Sequence, residues 1–362
     1  MTISQRRVRL RARLTAAGLD ALLVTDLVNV RYLCGFTGSN AALLITADDE
    51  TPTLATDGRY RTQAANQAPD ADVLIDRACA LKLTERASER GVARLGFESH
   101  VVTVELHAAL KTRLGGTELV RAPGHVEALR EVKDAGEVAL LRLACEAADA
   151  ALAGLIESGG LRAGRTERQV GRDLEARMFD HGADGVSFET IVATGANSAI
   201  PHHRPTDAAL AAGDLVKIDF GALVGGYHSD MTRTFVLAPV AQWQRDIHAL
   251  VAQAQRAGRH ALAAGAELAA VDAASRQVIA DAGFGEQFSH GLGHGVGLQI
   301  HEAPGIGAGA AGTLLAGSVV TVEPGVYLPG QGGVRIEDSL VVGSDEAPEL
   351  LTRFPKELAI LS

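Results

Sequence analysis

The sequence predicts an α+β protein of two domains: an N-terminal α/β domain over residues 1–124, then a larger domain over 125–362 with an internal pseudo-twofold repeat. Three observations predict it. Strand-like and helix-like runs alternate up to about residue 122. Pro123-Gly124 then punctuates the chain. Beyond that point the sequence repeats itself once, at a spacing near 100 residues, too long for a solenoid.

In the first domain, DALLVT (20–25), AALLIT (41–46), TPTLAT (51–56), ADVLID (71–76) and ARLGFE (93–98) are short apolar runs, as strands are. RRVRLRARLTAAG (6–18), GRYRTQAANQA (58–68), LKLTERASERG (81–91) and ELHAALKTRLGG (105–116) have helical character. Such alternation is the pattern of an α/β module. The second domain opens on one long helical pattern, residues 125–159.

The repeat comes next. AGDLVKIDFGA (212–222) parallels AGSVVTVEPGV (316–326), which sets Asp219 over Glu323. Upstream, a helix ending MFDHG (178–182) parallels one ending IADAG (279–283). HHRP (202–205) and HEAP (301–304) precede the two segments at comparable positions. Each half then supplies a hairpin, turning near Gly225-Gly226 and near Gly330. Asp219 and Asp230 lie about the first turn, Glu323 and Glu337 about the second. Directly opposed side chains sit roughly 4.5–5.5 Å apart at Cβ, a spacing suited to carboxylates that bridge two metals about 3.5–4 Å apart. The hairpins are therefore expected to oppose their carboxylates.

Those four carboxylates and His294 make an oxygen-rich ligand set with one imidazole. It suits two divalent ions, Mn²⁺ first, with Co²⁺, Zn²⁺ or Fe²⁺ as alternatives. Two such metals can hold a hydroxide between them and polarise a carbonyl, which is the chemistry of amide hydrolysis. His294 lies in FSHGLGHGVGLQIHEAP with His290 and His301. HGLGH lacks the glutamate of HExxH, and its glycines oppose a helix, so a zincin motif is excluded. His202 and His203 are ambiguous on sequence grounds. GIGAGAAG (305–312) contains a G-x-G-x-x-G spacing, but no strong strand precedes it and no suitable helix follows, so a loop bordering the site is expected.

Composition narrows the setting. Hydrophobic residues are 47% and charged residues 22%, enough for a full core. A net charge of −10 argues against a nucleic-acid partner. No run of 18 apolar residues suggests a membrane span. The Arg-rich start reads as an amphipathic helix rather than a secretory signal. Three dispersed cysteines, Cys34, Cys79 and Cys145, suit a reducing compartment, so a cytoplasmic location is expected.

IDFGA (218–222), HSDMTRTF (228–235), HGLGHGVGLQIHEAP (290–304), TVEPGVYLPGQGGVRIED (321–338) and IPHH (200–203), with GFTGSNAALLIT and TDGRY in the first domain, are together highly specific. On these the chain resembles the "pita-bread" metallopeptidases: aminopeptidase P, prolidase and methionine aminopeptidase. The resemblance covers nearly the whole chain and is closest to the small bacterial Xaa-Pro aminopeptidases. It implies a creatinase/prolidase-type N-terminal domain, a pita-bread catalytic domain and commonly a homodimer. It implies that Asp219 binds one metal, that Asp230 and Glu337 bridge both, and that His294 and Glu323 complete the other. Glu323 would also act as general base, while His202 and His301 hold the substrate carbonyl and the oxyanion. His290 would line the proline pocket. Tyr327 and Arg335 would serve the substrate side, with Arg335 orienting Asp219 from outside the metal shell. The implied substrates are peptides with proline in second position. Dipeptide-cleaving prolidases often carry an arginine just after HExP, where this chain has Gly305. That favours an aminopeptidase on longer peptides, with an Xaa-Pro dipeptidase as the alternative.

Overall fold

The computed structural model describes residues 2–344 and 346–362, which fall into two compact units, Met1–Arg130 and Glu131–Ser362. The chain passes from one to the other just beyond the Pro123-Gly124 turn.

The first unit is built on six strands: β1 (Ala21–Val24), β2 (Ala41–Thr46), β3 (Thr53–Thr56), β4 (Asp72–Ile75), β5 (Arg94–Phe97) and β6 (Glu118–Arg121). They form one sheet in the order β4-β3-β2-β1-β5-β6, in which β2 runs antiparallel to both neighbours and the other pairs are parallel. The helices are α1 (Ile3–Ala16), α2 (Leu27–Cys34), α3 (Arg61–Gln67), α4 (Cys79–Glu89), α5 (Val104–Lys111) and α6 (Glu127–Arg130). Two elements have no clear sequence signal. β6 is an edge strand with exposed ends, so it lacks an apolar run. α2 is short and is fixed at its ends, by the Asp26 side chain accepting from the Val28 amide and by Gly35 at φ 81°.

The long helical pattern at 125–159 is two helices, α6 and α7 (Ala135–Glu157). The intervening residues are held otherwise. Val132 bridges to Ser318, and the Lys133 ammonium lies 2.8 Å from Glu302, both side chains being buried. Asp134 then caps α7 in a reciprocal box with Glu137.

In the second unit α7 pairs with α8 (Glu167–Asp180), and α9 (Gln242–Ala261) with α10 (Leu268–Asp281). The strands are β7 (Gly185–Val186), β8 (Ile191–Thr194), β9 (Leu215–Phe220), β10 (Ala222–Val224), β11 (Tyr227–His228), β12 (Met231–Leu237), β13 (Gly293–Gly295), β14 (Glu302–Ile306), β15 (Val319–Val322), β16 (Gly325–Leu328), β17 (Gly332–Arg335), β18 (Asp338–Val341), β19 (Glu349–Leu350) and β20 (Ile360–Leu361). One sheet runs β20-β12-β9-β8 and another β14-β13-β15-β18-β19. Apolar side chains of α7 and α8 pack on the first, and those of α9 and α10 on the second. This is the pseudo-twofold: two helices and an antiparallel hairpin in each half. No helix among the described residues is long and apolar enough to cross a membrane.

Candidate metal centre

Both long hairpins change sheet at their carboxylates. β9 stops at Phe220, and β12 starts just after Asp230. β15 stops at Val322, just before Glu323, and β18 starts just after Glu337. Close strand approach at the first break demands Gly221, since a Cβ there would lie 1.9 Å from the Ser229 carbonyl oxygen. The registers differ in one detail. Val322 pairs with Asp338 and Gly325 with Arg335, so Glu323 falls opposite Glu337. Asp219 instead pairs with Thr232, which leaves Asp230 as its diagonal neighbour on the same face. Direct opposition, expected of both pairs, holds for one.

The hairpin ends converge with His294 on β13. His294 Nε2 lies 3.5 Å from Asp230 Oδ2 and 3.3 Å from Glu323 Oε1, and its Nδ1 approaches the Gly295 carbonyl at 3.1 Å. Ligand atoms of Asp230, His294 and Glu337 all lie within 4.8 Å of one another. Asp219 Oδ2 accepts from Arg335 Nη2, while its buried Oδ1 has no donor among the described residues. Burial and the charges of Glu337, Asp219 and Glu323 push the Asp230 carboxyl well up; burial, Glu323 and Asp219 do the same to Glu337. Burial works against charge at Glu323 too, but His294, then His290 and Arg335, outweigh it and bring that carboxyl down to about 2. Burial opposes a charge on His294, yet Glu323 raises it above the ordinary imidazole value. Buried, mutually repelling carboxylates and an orphaned oxygen are surroundings that a cation would satisfy, and these donors fit divalent metal.

Around this cluster opens a cleft of about 450 Å³, lined by His202, Asp219, Asp230, His290, His294, His301, Glu323, Arg335 and Glu337 among others. Tyr327 is not among its lining residues. It is buried, and its hydroxyl meets His290 Nε2 at 2.9 Å and Arg335 Nη1 at 2.9 Å. Arg335 is 2% exposed and also donates to Thr232 Oγ1 and the Pro201 carbonyl. Both residues are thus engaged with protein partners, Tyr327 with His290 and Arg335, and Arg335 with Asp219. His301 stacks edge-on against His294, ring centroids 4.4 Å apart. Burial lowers both His290 and His301, which favours neutral imidazoles.

The structure separates the two adjacent histidines. His203 is buried, with Nε2 2.8 Å from Glu167 Oε2, while His202 is exposed in the cleft. Two interior ionisable side chains, Glu167 and Lys217, fix this loop. Glu167 accepts from Thr194, Asn197 and Thr206 as well. Lys217, fully buried, donates to the Ile200 and Pro201 carbonyls at 2.6 and 3.2 Å. Burial, then the Arg335 charge, pushes its ammonium down to about 6 against the pull of Asp219. Lys217 was findable in one way: it shares the face of β9 with Asp219, two residues on.

Known proteins carry the same architecture. Residues 139–344 match the model of metallopeptidase family M24, and residues 6–132 match the creatinase/prolidase N-terminal domain. A Xaa-Pro dipeptidase of Pyrococcus horikoshii is 33% identical over 341 residues, 94% of either chain. The solved Xaa-Pro dipeptidase from Bacillus anthracis superposes with a TM-score of 0.95 at 37% identity, covering 99% of this chain and 100% of that one. The X-Pro aminopeptidase from Thermotoga maritima gives 0.90 at 32% identity, covering 98% and 99%.

Proposed function

Because the chain belongs to metallopeptidase family M24, with a creatinase/prolidase N-terminal domain ahead of its peptidase domain, we propose that it is a Xaa-Pro dipeptidase dependent on divalent metal. The observation that carries the metal dependence is the buried trio Asp219, Asp230 and Glu337, whose charges repel one another around the orphaned Asp219 Oδ1. Asp219, Asp230, His294, Glu323 and Glu337 would hold the metal, with Mn²⁺ the first ion to test. When bound, it supplies Lewis acidity toward the peptide carbonyl and makes water a stronger acid.

The remaining steps belong to side chains. Glu323 is the proton acceptor. His294 ligates only as a neutral imidazole, so loading would release its proton, and the metal would take over from that charge in keeping Glu323 ionised. His202 and His301, in the cleft beside His294, receive the carbonyl oxygen and its developing charge. His290, braced by Tyr327, faces the proline. The tertiary amide of an Xaa-Pro bond offers no N–H to a backbone-gripping site, so a site working through carbonyl and ring suits it.

Dipeptidase is preferred to aminopeptidase because the Pyrococcus horikoshii relative at 33% identity and the 0.95 structural neighbour carry that name. Gly305 and the Thermotoga neighbour favour the other reading. Hydrolysis of Ala-Pro, Ala-Pro-Ala and Ala-Ala with Mn²⁺, Co²⁺ or Zn²⁺ added to chelated protein separates them. Ala-Pro should be cut fastest, and only with metal. Faster release from Ala-Pro-Ala makes the enzyme an aminopeptidase, and equal cleavage of Ala-Ala ends the proline assignment.

A further inference from the structure

We propose that Arg204 receives the C-terminal carboxylate of the dipeptide and so sets the substrate length; the inference rests on the dipeptidase reading. A dipeptide carries its carboxylate one residue beyond the scissile bond. A site that selects dipeptides therefore needs a cation one residue from the reacting carbonyl. The cleft is rich in carboxylates, Asp219, Asp230, Glu323 and Glu337, which repel such a group.

Among the described residues two arginines line the cleft, Arg204 and Arg335. Arg335 is engaged with Asp219, Thr232, Tyr327 and Pro201, and is 2% exposed. Arg204 is different: its side chain is 82% exposed, and its ion pair is with Glu189, itself 62% exposed, at 3.2 Å through Nε. Among the described residues Nη1 and Nη2 have no ion pair. Those two groups form a fork that can hold a carboxylate by parallel hydrogen bonds.

The base of Arg204 is fixed although its end is not. On one side, buried His203 is bonded to Glu167. On the other, the Thr206 amide and hydroxyl donate to the same carboxylate at 2.8 and 2.7 Å, and Pro205 restricts the backbone between. The segment after His301 provides no rival cation: Glu302 is paired with Lys133, and Gly305 has no side chain.

The test compares Ala-Pro with Ala-Pro amide, which differs in lacking the carboxylate charge, in the Mn²⁺-loaded full-length enzyme. Arg204→Ala should raise KM for Ala-Pro about tenfold or more with little change in kcat, while KM for the amide moves less than about twofold; Arg204→Lys should fall between. Equal effects on both substrates, or none on either, overturn the inference while wild-type preference for Ala-Pro over Ala-Pro-Ala leaves the dipeptidase reading standing. A wild type that prefers the tripeptide overturns both.

Discussion

Glu337 and Asp338 are consecutive and both buried, yet they face different regions of the second unit. Asp338 meets cations: Arg233 at 2.9 Å, Lys356 at 2.9 Å and Arg259 at 3.8 Å, with Gln255 and Thr352 adding hydrogen bonds. Burial pushes its carboxyl up, but Arg233 and Lys356 outweigh burial and hold it below the usual range. Glu337 accepts from Thr232 Oγ1 at 2.7 Å, and the charges of Glu323 and Asp219 add to burial in raising it. The difference teaches how to tell structure from function among buried charges. A carboxylate that serves the fold brings its cations with it, as Glu167 brings its donors. A carboxylate proposed to serve a metal, as Glu337 is, is left short of them.

The largest effects should come from neutralising each neighbour. Asp338→Asn strands Arg233 and Lys356 and should cost about 3 kcal/mol or more in urea unfolding of the chelated protein, since breaking a buried ionic network leaves uncompensated charge. Glu337→Gln should cost the chelated protein no stability, while lowering Mn²⁺-supported turnover by about a thousandfold or more. Equal destabilisation by the two substitutions would break the comparison.

The adjacent histidines repeat the contrast on a smaller scale. His203→Ala removes a partner of buried Glu167 and should destabilise by about 1–3 kcal/mol. His202→Ala should unfold within about 0.5 kcal/mol of wild type, because its side chain is exposed. It should nonetheless lose about a hundredfold in kcat with metal content unchanged. Loss of metal from His202→Ala would make that residue a ligand instead of a substrate contact.

What the sequence made legible tracks what is local. Asp219 and Glu323 stand out because IDFG and VEPG repeat, and the hairpin turns stand out through Gly225-Gly226 and Gly330. The diagonal placement of Asp230 could not be read, since it depends on which residue pairs across β9 and β12. Glu337-Asp338 alone resembles a solvated strand end; its burial comes from Arg233, Thr232 and Lys356, brought from elsewhere in the chain. Glu167 was invisible for the same reason, as was the break between α6 and α7, where Lys133 leaves the helical pattern for Glu302. Periodicity reports faces and turns; it does not report which charges meet on them.

The smallest effect sharpens the comparison through pH. Glu337 has its folded value raised above the ordinary 4.5, so the folded state holds its proton more tightly than the unfolded chain does. Its cost is absent below about 4.5 and grows as pH rises through the folded value. Asp338 is lowered from 3.8, so its contribution is present above that value and is lost as pH falls through the folded one. Thermal melts of chelated proteins should therefore show Glu337→Gln drawing ahead of wild type as pH climbs above 4.5, and the Asp338→Asn deficit shrinking as pH falls below 3.8. Saturating Mn²⁺ should reverse the first difference, because it binds and stabilises the wild type. A Glu337→Gln advantage that is constant with pH would mean the substitution acts through packing and not through the charge Glu337 carries.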